Sequence, residues 1–146
     1  MKIVIDKFEN FCKMPNRAHH NDSGMDVFAT EDYTIPPRSV YAAPLGFGLQ
    51  LPDGYDAVIH CKSGLSSRGI FCMNSPVDAG YRSTPEEKAE IHAIMFNSTD
   101  KPFEVTRGMK VGQIVVRPVI YIDLVDPNDE AMLNTRGGDA FGSTGK

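Results

Sequence analysis

Apolar residues in this chain recur in short alternating stretches or compact patches rich in Val, Ile, Phe and Tyr, and turn formers end each stretch before it reaches helical length. On that pattern, strands are read over 2–8, 58–61, 91–96, 111–116 and 119–122. Between them stand Ile35-Pro36-Pro37, Pro52-Asp53-Gly54, Ser75-Pro76, Thr99-Asp100-Lys101-Pro102 and Arg107-Gly108. Proline removes a backbone donor and glycine supplies the conformations of tight turns, so such segments punctuate the chain. Many short strands separated in this way predict an all-β sandwich or barrel. Helix is confined to two short places. Thr84-Pro85-Glu86-Glu87 combines a capping hydroxyl, a proline at the first helical position and the acid that completes a capping box, and predicts one or two turns before strand pattern resumes at Ile91. Leu65 to Arg68 is a second short candidate.

The chain has 146 residues, enough for one domain around one core. With 41% hydrophobic and 23% charged residues and no long apolar run, it reads as globular, with no membrane-spanning segment. The segment Met1 to Asp6 alternates and carries charge, so it lacks the apolar centre of a secretory signal, and an intracellular protein is expected. Cys12, Cys61 and Cys72 are odd in number and lack metal-ligand spacing, which argues against a disulfide framework or a zinc site. A net charge of −4 offers no broad attraction for nucleic acid, so direct nucleic-acid binding is not expected and any anionic ligand must be held locally. From Asn134 the composition changes to glycines and hydroxyls with one large apolar side chain. The expected organisation is a folded domain over 1–133 and a flexible glycine-rich tail over 134–146, which cannot bury enough area to order itself.

Five patches carry the chemistry. In the tail, glycines allow consecutive N–H groups to turn toward one anion, Ser143 and Thr144 add hydroxyls beside Gly142, Arg136 adds a planar fork, and Phe141 adds a face for a nucleobase. A disordered terminus has the same composition. Lys62-Ser63-Gly64-Leu65-Ser66-Ser67-Arg68 offers backbone donors, hydroxyls and two cations after a strand, which suits phosphate, although taken alone the patch reads more readily as a solvated turn. In Ser75-Pro76-Val77-Asp78-Ala79-Gly80-Tyr81-Arg82, Asp78 either caps a turn or accepts a proton from water, with Tyr81 able to pack on a sugar. The remaining two are Asp22-Ser23-Gly24-Met25-Asp26-Val27 and Arg107-Gly108-Met109-Lys110-Val111-Gly112-Gln113-Ile114. Within the latter, Gln113 is either a buried amide that needs partners or a strand-edge residue facing water.

Taken in order, these patches resemble the five motifs of the trimeric dUTPase family, over nearly the full length from Ala18 to Lys146. The tail ending Phe141-Gly142-Ser143-Thr144-Gly145 is the strongest element of the match. The resemblance implies a jelly-roll-like β-barrel of the β-clip type with little helix. It also implies a homotrimer whose sites are shared by all three chains, the third motif coming from a neighbour and the tail from the third subunit. The implied reaction is hydrolysis of dUTP to dUMP and pyrophosphate, assisted by Mg²⁺. Asp78 falls on the catalytic Asp that holds the 3′-hydroxyl and orients water for in-line attack on the α-phosphate. Tyr81 falls on the aromatic under deoxyribose, Ser63 and Gly64 with Gln113 on residues lining the α-phosphate, and Asp26 on a carboxylate linked to Mg²⁺ through water. Arg136, Phe141, Gly142, Ser143 and Thr144 fall on the phosphate and uracil positions of the tail. Uracil would be read mostly by the backbone of 71–77, with Asn74 as side-chain contributor.

The match departs from the family pattern in several places. Lys62 stands where the second motif has Arg, which keeps the charge and loses the bidentate fork. The stretch from Ser63 to Asp78 is shorter than usual, Gly80 replaces a common acid, Ser83 to Lys88 looks inserted, and Asp139 and Ala140 replace glycines. Two other activities compete with hydrolysis. One is a dCTP deaminase on the same scaffold, disfavoured by the missing Glu between the second and third motifs. The other is a nucleotide-responsive regulatory protein that signals through the 83–88 insertion.

Overall fold

The computed structural model describes residues 1–126. These form β1 (Val4–Lys7), β2 (Met25–Phe28), β3 (Tyr33–Ile35), β4 (Val40–Pro44), β5 (Phe47–Gln50), β6 (Tyr55–His60), α1 (Ser63–Ser66), β7 (Ile70–Cys72), β8 (Val77–Asp78), β9 (His92–Asn97), β10 (Phe103–Val105) and β11 (Lys110–Pro118). The expected all-β, jelly-roll-like class is met, although the strands do not close into one hydrogen-bonded cylinder. They form antiparallel ladders β1-β5, β10-β3, β4-β9-β7 and β2-β11-β6-β8. Among the described residues no helix is long and apolar enough to cross a membrane.

The ladders wrap one core. Alternation decides which side chains enter it: β9 buries Ala93, Met95 and Asn97 and leaves His92, Ile94 and Phe96 half-covered. Val27, Ile35, Phe47, Ile59, Ile70, Met95, Val111 and Ile114 are at most 2% exposed and belong to the same cluster. Asn97 is a polar residue inside this core. Its amide donates to the carbonyls of Ile35 and Lys101 at 3.0 and 2.7 Å, and its oxygen accepts from the Thr99 amide and hydroxyl, so both ends are satisfied.

Three local expectations are corrected. The 119–122 run is not a strand, because Pro118 ends β11. The Val119 N–H still reaches the Gly54 carbonyl at 2.8 Å, but Ile120, Tyr121 and Ile122 are 72–86% exposed with no strand beside them. The helix expected at 84–87 does not form either. The Thr84 hydroxyl does accept from the amides of Glu86 and Glu87, yet the Thr84 N–H donates to the Glu87 carbonyl and folds the chain back. Buried Ala89 and Ile91 follow too soon to leave room for helical turns, and Ser83 Oγ already accepts from the Ala89 amide. The other helix starts two residues earlier than expected, at Ser63. Its end is set by Gly69 at φ +79°, where a side chain would be strained and a Cβ would meet Thr99 and Ser98 below 3.0 Å.

The cysteines remain unpaired. The Cys72 amide donates to Cys61 Sγ, and burial, with Cys61 alongside, pushes the Cys72 thiol up to about 12.

Candidate functional site

The four-stranded ladder has two distinct faces. Ala57, Ile59 and Ile114 lie in the core, and Val77, Val116 and Met25 pack against it. Their neighbours along each strand therefore point to the other face: Asp26 on β2, Gln113 and Arg117 on β11, Asp56 and His60 on β6, and Asp78 on β8. Polar residues in four separate sequence segments are thus collected on one surface by period-two alternation.

One end of this face is built around Asp26, which is 4% exposed. Lys62, just beyond β6, places its ammonium on Asp26 Oδ1, and Lys110, at the start of β11, reaches Oδ2 at 2.7 Å. Burial pushes the Asp26 pKa up, but the hydrogen bonds and charges of Lys110 and Lys62 outweigh it and hold the carboxyl below its ordinary value. Gln113 stands opposite Asp26 in the β2–β11 register and opposite His60 in the β11–β6 register. Its amide donates to the Cys61 carbonyl at 3.3 Å, which settles the open question: it is a half-buried, partnered amide. Gly24 makes room for it, since a Cβ there would lie 2.6 Å from Gln113 Oε1. Ser63 and Gly64 follow Lys62 at an exposed corner, and a Cβ on Gly64 would meet nothing within 4 Å of this chain. The packing of the chain itself does not require a glycine there.

The other end carries Asp78, exposed at the end of β8. The Tyr81 N–H donates to the Asp78 carbonyl at 3.0 Å, closing a turn that sets the tyrosine beside the carboxylate. The Tyr81 hydroxyl donates to the Glu90 carbonyl at 3.0 Å, which fixes a ring that is 48% exposed. Arg82 donates to the carbonyls of Ala79 and Leu51 and ties the turn to the β5–β6 connection. Asp56 lies opposite Asp78 on β6, and Arg117 lies opposite Asp56 on β11. The guanidinium grips Asp56 at 3.1 and 2.7 Å, and this hydrogen bonding outweighs burial and holds the Asp56 carboxyl below its usual value.

Asn74 lies between β7 and β8, and its side chain is partnered within the chain. Its Nδ2 donates to the His92 carbonyl at 2.7 Å and its Oδ1 accepts from the Ile94 amide at 2.9 Å, so the side chain straps its segment to β9 in the manner of a short strand. Arg136, Phe141, Gly142, Ser143 and Thr144 lie outside the described residues, as does the boundary expected at 133–134.

From Asp56 to His60, or from Gln113 to Arg117, is four residues, roughly 13 Å along a strand. The structure therefore brings Asp26, Gln113, Ser63 and Gly64 together, and Asp78 with Tyr81 together, but keeps these groups apart. Among the described residues no three His, Cys, Asp or Glu side chains converge as an ion cage. Lys62 and Lys110 each take one position on the Asp26 carboxylate, which has about four acceptor positions, so these ion pairs do not use up the group implied for a water-mediated Mg²⁺ contact. The hydroxyl, amide and ammonium donors at this end suit phosphate oxygens. Lys110, Asp56 and Arg117 were not singled out in the sequence. For Asp56 and Arg117 the signal is alternation, which sets them out of phase with Ala57, Ile59, Ile114 and Val116, whereas Lys110 is in phase with Ile114 and reaches this face through the register shift between Lys110 and Gly112.

The family model described as dUTPase matches residues 10–145. The deoxyuridine 5′-triphosphate nucleotidohydrolase of Gloeothece citriformis is 40% identical, with 99% of this chain and 97% of that protein covered. The protein of the same description from Clostridium tetani is 39% identical at the same coverage. Among solved structures, the dUTPase of Staphylococcus bacteriophage 80alpha with dUpNHpp superposes with a TM-score of 0.86 over 99% of each chain at 20% identity. A dUTPase from phage phi11 of S. aureus, described as coordinating a structural Mg(II) ion, superposes with a TM-score of 0.75 over 86% of this chain and 96% of its own at 19% identity.

Proposed function

The chain belongs to the dUTPase family, and on that premise we propose that it is a dUTP diphosphatase, cleaving dUTP to dUMP and pyrophosphate by attack of an Asp78-oriented water on the α-phosphate. The observation that carries the mechanism is the division of the sheet face into two groups. A water poised for attack lies about 3–3.5 Å from phosphorus, so the carboxylate that orients it cannot stand roughly 13 Å from the residues holding that phosphate. Gln113, Ser63 and Gly64 of one copy therefore work with Asp78 and Tyr81 of another. Such a head-to-tail arrangement closes as a ring, in keeping with the homotrimer of the family, and the segment 134–146 of the third copy brings Arg136, Phe141, Gly142, Ser143 and Thr144.

At the phosphate end, Lys62 and Lys110 hold Asp26 and leave a cationic margin beside Gln113 and the Ser63–Gly64 corner. Mg²⁺ carried on the triphosphate supplies further charge neutralisation when bound. Tyr81, fixed through its hydroxyl, offers its face to the deoxyribose and leaves no space for a 2′-hydroxyl. With the Asn74 side chain strapped to β9, the backbone of 71–77 is what remains to read the uracil edge. Cytosine would present a donor to a donor there, leaving buried groups unpaired at a cost of several orders of magnitude in efficiency, of order 10⁴. The unpaired thiols are in keeping with an intracellular setting.

The test is pyrophosphate release from dUTP, UTP, dCTP and dTTP in the presence of Mg²⁺, with Asp78→Ala beside the unaltered protein. Turnover of dUTP alone, reduced about 10²–10⁴-fold in the variant, is expected. Full activity of Asp78→Ala would remove Asp78 from the mechanism, and ammonia release from dCTP would replace the reaction with deamination.

A further inference from the structure

We propose that Asp56 and Arg117 are positioning residues for Asp78, setting the electrostatic field at its carboxylate from the two neighbouring strands. The proposal rests on the reading of Asp78 as the group that orients water. Its physical basis is the register. Arg117, Asp56 and Asp78 are direct cross-strand neighbours on β11, β6 and β8, and their partners one residue along, Val116, Ala57 and Val77, turn toward the core. All three charged residues thus form one row on the same face, with directly opposed Cβ atoms about 5 Å apart.

The row is asymmetric in a way that matters chemically. Asp56 is 8% exposed and held on both oxygens by Arg117, so its position and charge are fixed, whereas Asp78 is exposed and has no side-chain ion pair among the described residues. A fixed negative charge beside Asp78 repels its carboxylate from the sheet. Arg117 moderates that field: with the guanidinium in place Asp56 remains an anion, but most of its charge is balanced. The electrostatic surroundings of Asp78 are thus set by two neighbours that need not touch substrate. The other charged or titratable groups near this end, Asp53, Tyr81 and Arg82, are tied to the turn after β8 or to the β5–β6 connection and stay the same in the variants below.

The sign of each substitution follows. Asp56→Asn removes the like charge and leaves the Arg117 cation, so Asp78 ionises more readily and the acid limb of the kcat/KM profile moves to lower pH. Arg117→Gln leaves the Asp56 charge unbalanced and moves the limb to higher pH. Each displacement is expected to be about half a pH unit at low ionic strength and smaller in molar salt. Arg117→Lys, which restores the charge without the fork, should return the limb most of the way. Because a variant that folds poorly also loses activity, the Asp78 carboxyl is titrated directly by carbon-13 NMR in the same trimer preparations, where displacements of the same opposite signs are expected. Limbs and titrations that stay fixed, or move together, while Asp78→Asn abolishes turnover would overturn the positioning role and leave the reading of Asp78 standing. Wild-type turnover in Asp78→Asn would overturn both.

Discussion

Gly24 and Gln113 form a pair whose coupling is calculable from the structure. A Cβ added at Gly24 would lie 2.6 Å from Gln113 Oε1, 3.2 Å from its Cδ and 3.1 Å from its Cβ. The closest atoms are the far end of a rotatable side chain, so Gly24→Ala is relieved by swinging the carboxamide away rather than by moving backbone. That movement breaks the 3.3 Å bond to the Cys61 carbonyl. Overpacking at its lower range costs about 1 kcal/mol, and the neutral hydrogen bond contributes about 0.5–1.5 kcal/mol. The reduced freedom of the unfolded chain returns about 0.4–1 kcal/mol. A net loss of about 0.5–2 kcal/mol is expected for Gly24→Ala by these terms. In a Gln113→Ala background Oε1 and Cδ are gone and only the 3.1 Å contact remains, so the same substitution should be nearly neutral. Urea unfolding of the four proteins in this cycle measures the difference, which should exceed the roughly 0.5 kcal/mol of ordinary additivity. Steady-state kinetics should agree: each single variant impairs dUTP turnover, and the double variant is little worse than Gln113→Ala alone. Additive stabilities, or unchanged kinetics in Gly24→Ala, would show that the glycine does not serve the glutamine.

Three further outcomes are expected. Gly64→Ala meets no atom of its own chain and replaces glycine in a helical turn, so stability should hold or rise by up to about 1 kcal/mol while the KM for dUTP rises several-fold; a lowered Tm would refute it. Asn97→Ala strands the buried Ile35 carbonyl and frees the half-buried Thr99 amide, while the Lys101 carbonyl keeps the Thr99 hydroxyl, and should cost about 2–3 kcal/mol, read from the urea midpoint, whereas an unchanged midpoint would contradict the network. Asp26 has a folded-state pKa below its unfolded one, so its stabilisation is complete above roughly pH 4 and is lost as pH falls through the folded value. The stability gap between the unaltered protein and Asp26→Asn should therefore narrow from pH 5 to pH 3, and a constant gap would refute the linkage.

The fold class was legible because alternation and turn chemistry are local. Strands at 4–7, 55–60, 92–97 and 110–118 follow the pattern of β-branched and aromatic residues, and their ends coincide with turn formers. What failed needed information from elsewhere in the chain. The capping residues at 84–87 made their hydrogen bonds, but the need to bury Ala89 and Ile91 against neighbouring strands decided the backbone. The apolar 119–122 run has strand composition but lies beyond Pro118 with no partner strand among the described residues, and composition cannot supply one. At the site, Lys62 was readable as a cation in place of the family's arginine. Its engagement with Asp26 was not, because the residues are 36 apart and a third group, Lys110, completes the cluster. Asn74 was read as a base contact from its place before Asp78, whereas its two bonds to β9 depend on a strand about twenty residues further on.

The two parts of the sheet face also explain why the departures from the family pattern are compatible with its chemistry. Replacing an arginine by Lys62 forfeits a fork, but here the ammonium need only hold one oxygen of Asp26, because Lys110 takes the other. Two point charges from β11 and from the end of β6 do jointly what one planar group would do alone. At the far end the arrangement is reversed: the fork, Arg117, lies behind Asp56, and the carboxylate in front of it, Asp78, keeps its oxygens open to solvent. One ladder thus holds a neutralised carboxylate at one end and an open one at the other. Since β6 and β11 fix the distance between them, the proposed mechanism requires that alignment of water and α-phosphate be set by how neighbouring copies dock rather than by motion within one sheet.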